Sequence, residues 1–216
     1  MEPVRPIVLE GRHVRLEPLA ERHLPALLRV VQGPRETFAI TWVPQDEAGL
    51  RGYLATALEE QRRGQSLPFA TVDRRSGEAV GSTRFMTIDV WAAEPGSRLA
   101  RPPGVPHGVE IGHTWLSPTA QRTALNTEAK VLMLGHAFDR WEVLRVTLKT
   151  DARNARSRAA IERLGARFDG ILRAAMLAAD GGPRDTAYYS ILAGEWPEVR
   201  GRLEARLARG ASGGAT

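Results

Sequence analysis

The stretch "EIGHTWLSPTAQRTALNTEAK", Glu110–Lys130, decides how the chain folds. Its first part belongs to a strand-like run, "VEIGHTWLSP" (Val109–Pro118). A polar loop follows, and then a helix from about Asn126 to Trp141, with Val131, Leu134 and Phe138 at helical spacing. The start of a helix presents unpaired N–H groups and a partial positive charge, and both favour a phosphate. The loop contains no glycine. The donors of a phosphate cradle are backbone N–H groups, which every residue but proline has. Thr123 and Ala124 are small, Arg122 adds charge, and Thr123, Asn126 and Thr127 add side-chain hydrogen bonds. Two readings stand: a phosphate cradle, or an Asn126-capped helix on a polar loop. The Gly-Lys-Ser/Thr ending of a P-loop and the glycine spacing of a dinucleotide fingerprint are both missing.

Outward from this stretch, "HVRLEPL" (His13–Leu19) alternates as a first strand. Leu24, Leu27, Leu28 and Val31 line one helical face, and Leu50, Leu54, Ala57, Leu58 and Gln61 line a second helix that stops at Gly64. Leu67–Arg74 and Ala79–Val90 read as strands joined at Arg75–Glu78. The Pro- and Gly-rich run Ala92–Gly108 reads as a surface loop. Downstream, Leu144–Thr150 alternates as a strand. Asn154–Gly165 is a short helix with Asn154 as N-cap and Gly165 as a left-handed stop. "ARFDGILRAAMLA" and "DTAYYSILAGEW" form a hairpin around "ADGGPR", and the terminal "RGASGGAT" reads as disordered. The order predicts an α+β fold: a mixed, mostly antiparallel central sheet of about seven strands with flanking helices. One domain over residues 1–197 is expected, followed by a helical extension and tail over 198–216.

With 216 residues, 43% of them hydrophobic, the chain is large enough for one well-buried core. It has no cysteine, which excludes disulfides and thiolate metal sites. No apolar run approaches a membrane span, and the N-terminus lacks an apolar signal core, so a cytoplasmic, membrane-free protein is expected. The net charge is +5 and the pI about 10.3, nearly all of it from arginine, because Lys130 and Lys149 are the only lysines. These arginines are scattered and not gathered in a run. That favours solvated faces over a nucleic-acid footprint.

Taken together, "LEGRHVRLEPLAERHLPAL", "EIGHTWLSP", "NTEAK", an Asn-x-x-Ser with "IERLGA", and "RDTAYYSI" resemble the GCN5-related N-acetyltransferase superfamily, in its RimJ/RimL-type branch. The resemblance runs from about Gly11 to Trp196. It implies the acyl-CoA N-acyltransferase fold, with acetyl-coenzyme A as cosubstrate and no metal. In that family a Gln/Arg-x-x-Gly-x-Gly/Ala loop holds the pyrophosphate. On this chain it falls on Gln121, Arg122, Thr123, Ala124, Leu125 and Asn126, with Thr127 next. Ala124 and Asn126 depart from the two small positions.

The resemblance also implies that the pantetheine arm lies between two splayed strands, against the backbone of His113, Thr114, Trp115 and Leu116. Asn154 matches the family's pantetheine-contacting Asn, and Ser157 stands where the branch proposes a group for the departing thiolate. The Tyr that many members use for that step is replaced by Ile161. Arg153 and Arg158 are candidates for the coenzyme's outer phosphate.

Acetyl transfer to an amine needs a proton acceptor and donors for the carbonyl oxygen. Glu110 is the leading base; its other reading is a hydrogen-bonded strand residue. His113 lies three residues along and points to the opposite face if the strand is regular, which favours a buried structural histidine. Tyr188 and Tyr189 are further acid candidates. Trp42, Trp91 and Trp115 line an acceptor pocket or pack in the core. The acceptor is a peptide N-terminal amine or a small-molecule amine, and a homodimer is among the assemblies the family shows. An acyl-coenzyme A sensor on the same fold and a basic nucleic-acid-associated protein are the alternatives.

Overall fold

The computed structural model describes residues 1–94 and 96–212. One eight-stranded sheet runs in the order β1-β2-β3-β4-β5-β6-β8-β7. Its strands are β1 (Leu9–Glu10), β2 (Val14–Pro18), β3 (Ser66–Asp73), β4 (Ala79–Asp89), β5 (Gly108–Leu116), β6 (Arg145–Asp151), β7 (Arg167–Leu177) and β8 (Pro183–Leu192). The strand beyond the expected seven is β1. It is too short for a periodic signal, and the turn that joins it to β2 is pinned from outside. Glu128 accepts the amides of Arg12, His13 and Val14 at 2.9, 2.6 and 2.8 Å, and its carboxylate fills the space a side chain at Gly11 would need.

Every neighbouring pair is antiparallel except β5 and β6. That parallel pair stops after three rungs, Gly108–Arg145, Val109–Val146 and Glu110–Thr147. Both strands continue, β5 to Leu116 and β6 to Asp151, without a neighbour between them. A wedge therefore opens at the middle of the sheet.

Alternation along the strands feeds two cores. Leu67, Phe69 and Phe85 face α3 (Ala124–Gly135), α4 (Ala155–Arg163) and α5 (Trp196–Ser212). Ala70, Val72 and Trp115 face α1 (Leu24–Val31) and α2 (Glu47–Arg62). Trp196, Val199 and Leu203 bury one side of α5 in the first core, so this helix is part of the packed layer. Of "RGASGGAT", Arg209–Ser212 lies in α5, and residues 213–216 lie outside the described residues. Asn154 caps α4 as expected, and Gly64 and Gly165 take left-handed φ of 70° and 93° at helix ends. Asp46 caps α2. No helix among the described residues is long and apolar enough to cross a membrane.

The loop between β4 and β5 is tied down. Arg101 donates to the carbonyls of Pro106, Trp141 and Glu142, and His107 bonds Leu99 O and the Trp91 amide.

Candidate active site

The wedge begins where Glu110 ends the β5–β6 ladder. Glu110 is buried, and Lys149 on β6 reaches its Oε2 at 2.9 Å. Thr87 donates to the same oxygen at 3.4 Å. The other oxygen runs along the strand: a Cβ on Gly112 would meet Glu110 Oε1 at 3.0 Å and Met86 Sδ at 2.7 Å. Glycine at 112 thus lets the carboxylate reach toward the open end of the wedge.

β5 is not regular there. Ser82 pairs with Trp115 and Arg84 with Gly112, so His113 and Thr114 together oppose Thr83. This is a β-bulge, and His113 takes a φ of 47°, in the left-handed region that a histidine seldom adopts. The bulge overturns the expectation for His113. It moves the ring onto the Glu110 side of the sheet, where it lies 6.3 Å from the Tyr53 ring. It is exposed and not a buried structural histidine. The ring touches water, yet the surrounding protein removes part of its solvent. Desolvation first, then repulsion by Arg84, Lys149 and Arg184, pushes its pKa down to about 4.

Thr114 faces the other side. Lys130 on α3 donates to Thr114 Oγ1 at 2.6 Å and to Thr83 Oγ1 at 2.9 Å, and the two hydroxyls bond each other at 2.8 Å. This clasp closes over the bulge from behind. Lys130 is buried with no carboxylate within ion-pair distance among the described residues, and burial pushes its pKa down to about 7.

The glycine-free loop starts its helix two residues earlier than expected. Thr123, not Asn126, is the N-cap of α3: its Oγ1 accepts the Leu125 amide at 3.3 Å and donates to Ala120 O at 2.8 Å. Ala124 and Asn126 therefore fall in the first helical turn, where amides have no carbonyl one turn back. The Leu125 side chain is in the core, and its amide donates to the Thr123 cap. Arg122 stands exposed at a φ of 60°. Gln121 is a brace: its amide nitrogen donates to Leu116 O and Thr37 Oγ1, both at 3.0 Å, and its oxygen accepts from Arg156 at 2.9 Å. Thr127 is half-buried one residue farther into α3.

Across the wedge, Asn154 accepts the Ser157 amide at 3.0 Å and donates to Thr41 Oγ1 at 3.4 Å. Ser157 Oγ has no hydrogen-bond partner among the described residues. The segment from Thr37 to Thr41 thus touches both sides, Gln121 on one and Asn154 on the other. Arg158 is committed elsewhere, to Tyr189 at 2.8 Å and over the Phe168 ring. Arg153 is held by Asp151 and Asp180. Arg156 reaches Gln121, in the loop that leads through Arg122 into α3. Ile161 is in the core.

The tryptophans divide. Trp42 is exposed, 5.9 Å from the Tyr53 ring, while Trp115 is buried edge-on to the same ring. Trp91 stacks on His107 at the paired end of β5, away from the wedge. Tyr188 lies beside Lys149, and Tyr189 is buried on the opposite face of the sheet. Sequence reasoning missed Arg84, buried between Glu60 at 2.7 Å and the Tyr53 ring. It also missed Lys149, Lys130 and Arg156. One signal was present: both lysines of this arginine-rich chain stand at the wedge.

Among the described residues no group of three or more His, Asp or Glu side chains is placed to hold a metal. Residues 13–167 match the model of the acetyltransferase (GNAT) domain. A search of the curated proteins finds no match. Several solved structures are similar. A GCN5-related N-acetyltransferase from Brucella melitensis superposes with a TM-score of 0.81 at 30% identity, over 95% of this chain and 87% of that one. A T. thermophilus structure assigned as an acetyltransferase gives 0.75 at 38%, over 94% and 98%. Mycobacterium smegmatis RimJ, solved in complex with CoA-disulfide, shares the fold with a TM-score of 0.76 at 23% identity, over 95% and 97%. The chain belongs to the GNAT acetyltransferase family and is an acetyl-coenzyme A-dependent N-acetyltransferase.

Proposed function

We propose that the protein transfers the acetyl group of acetyl-coenzyme A directly to a primary amine, with both bound at the wedge. The observation that carries this is the loss of β5–β6 pairing immediately after a buried glutamate. The free edge of β5 from Ile111 to Leu116 suits a ligand with amides of its own, by strand addition. The first turn of α3, with Arg122 and Arg156 beside it, suits a diphosphate.

Acetyl-coenzyme A supplies an activated thioester when bound; the chain supplies positions and proton handling. Glu110 accepts the amine's proton, directly or through one water. Lys149 is its counter-charge and holds the carboxylate in one orientation. Backbone N–H groups at the bulge offer donors to the carbonyl oxygen. Ser157, free of other partners, hydrogen-bonds the sulfur; an aliphatic hydroxyl is too weak an acid to protonate it fully. The acceptor enters over Tyr53, Trp42 and His113, and both peptide N-termini and small amines fit this reading. The motifs between Gly11 and Trp196 support the RimJ/RimL-type branch. One acetyltransferase domain spans residues 1–197 with α5 packed on it.

The test combines titration of coenzyme A by calorimetry with acetyl transfer to a panel of peptide and small amines, read by mass spectrometry. Saturable binding with turnover on at least one amine is expected. Binding without turnover on any amine supports a sensor instead, and no binding at all removes the reading.

A further inference from the structure

The charged groups on the Glu110 side of the sheet are nearly all matched. Lys149 pairs with Glu110 at 2.9 Å, Arg84 with Glu60 at 2.7 Å, and Arg153 with Asp151 and Asp180 at 2.8 Å each. Arg184 is not matched. It stands on β8, two residues before Thr186, which registers opposite Asp151 at the open end of β6. It is half-buried, its Nε is enclosed with no hydrogen-bond partner, and no carboxylate lies within ion-pair distance among the described residues. Residues 184, 186 and 188 alternate onto one face of β8, the face on which Tyr188 lies beside Lys149 and so beside Glu110. The guanidinium is therefore on the Glu110 side of the sheet, and its charge acts on Glu110 and His113.

A guanidinium withdrawn from water without a counter-ion is costly. Its planar fork is shaped for a carboxylate or a phosphate. The carboxylates nearest to it are already bonded to Arg153 and Lys149. With Arg84, Lys149 and Arg184 around His113, a bare ammonium would be repelled, whereas an amine that brings its own anion would be neutralised on arrival. We propose that Arg184 is the anion-holding residue of the acceptor site, and that the acceptor is an amine carrying a carboxylate or a phosphate a few bonds from its nitrogen. This rests on the acetyltransferase reading of the wedge. Arg184 fixes the anion, and the amine then lies toward Glu110, which takes its proton.

The experiment uses matched pairs of acceptors with the full chain and acetyl-coenzyme A. Amino acids are set against their carboxamides, and phosphoethanolamine against ethanolamine; the pair that responds identifies the anion. The charged member is expected to be preferred, and Arg184→Met to lower its kcat/KM by about tenfold or more, mainly through KM, while the neutral member changes less than about twofold. Arg184→Lys, which keeps the charge and loses the fork, should fall between. Equal rates for charged and neutral members in the wild type would overturn the proposal, as would an equal loss on both in Arg184→Met. Calorimetry of the same amines on the coenzyme A-loaded protein reads the site without turnover. Arg184-dependent binding there supports the anion site even if no acetyl is transferred, and turnover without anion preference sinks this proposal alone.

Discussion

Lys130 Nζ lies 2.6 Å from Thr114 Oγ1, so a helix on one side of the sheet grips the strand at the residue next to its bulge. The amine has no carboxylate partner among the described residues, and the groups facing it are hydroxyls from β4 and β5. The geometry ties three elements to one buried donor, and it makes stability depend on pH.

Burial holds Lys130 near 7, while the unfolded chain returns it to 10.5. Between those values the unfolded state binds the extra proton, so folding stability rises with pH across that window. Below about 7 both states are protonated and the slope vanishes. Lys130→Met should flatten the profile between pH 7 and 10 and raise stability at pH 6, measured by denaturant midpoints. It should also weaken coenzyme A binding, because the bulge loses its anchor. A profile unchanged by the substitution would show that Lys130 is not held in its buried place.

His113 behaves in the same sense at lower pH. Its folded value of about 4 lies below the ordinary 6.5, so stability is full above 6.5 and is lost as pH falls toward 4. An NMR titration of the ring should give a midpoint near 4, and His113→Gln should remove this part of the acid slope. A midpoint near 6.5 would mean the ring swings away from Tyr53 into water.

Glu110→Gln keeps the shape and removes the base. The expected result is a fall in kcat of about a hundredfold with coenzyme A affinity nearly unchanged, read by thiol release and calorimetry. Full activity in the variant would move the proton to another acceptor, with His113 the next group in place.

Asn126→Asp separates the helix from its ligand. A carboxylate in the first turn of α3 favours the helix by a few tenths of a kcal/mol and should raise the melting temperature slightly. The same charge opposes a phosphate and should weaken coenzyme A binding by about tenfold. Rising stability with unchanged affinity would show that the loop does not hold the anion.

Much of this was legible along the chain. Periodic apolar residues marked the strands and helices, Asn154 and Gly165 marked the ends of α4, and Glu110 stood out as a carboxylate on the strand before a phosphate-suited loop. Thr123 was passed over as a cap because Asn126 is the stronger capping type. Only the paired hydrogen bonds to Ala120 and Leu125 show which residue carries the extended backbone. β1 gave no periodic signal because two residues cannot, and Glu128, which holds the turn after it, lies over a hundred positions away.

What the amino acids alone determined is local: where apolar side chains recur at periods of two or near four, where a helix can start, and which charged types are present. The wedge and its chemistry are long-range. The bulge that brings His113 to the side of Glu110 exists because β4 and β5 pair out of step, which no residue in β5 states by itself. Lys149 meets Glu110 because two strands run parallel for three rungs and then part. Arg184, on β8, is left unmatched because the nearby carboxylates are taken by Lys149 on β6 and by Arg153 in the turn after it. Periodicity is a property of neighbours along the backbone, whereas a buried charge finds its partner only when separate segments close around it.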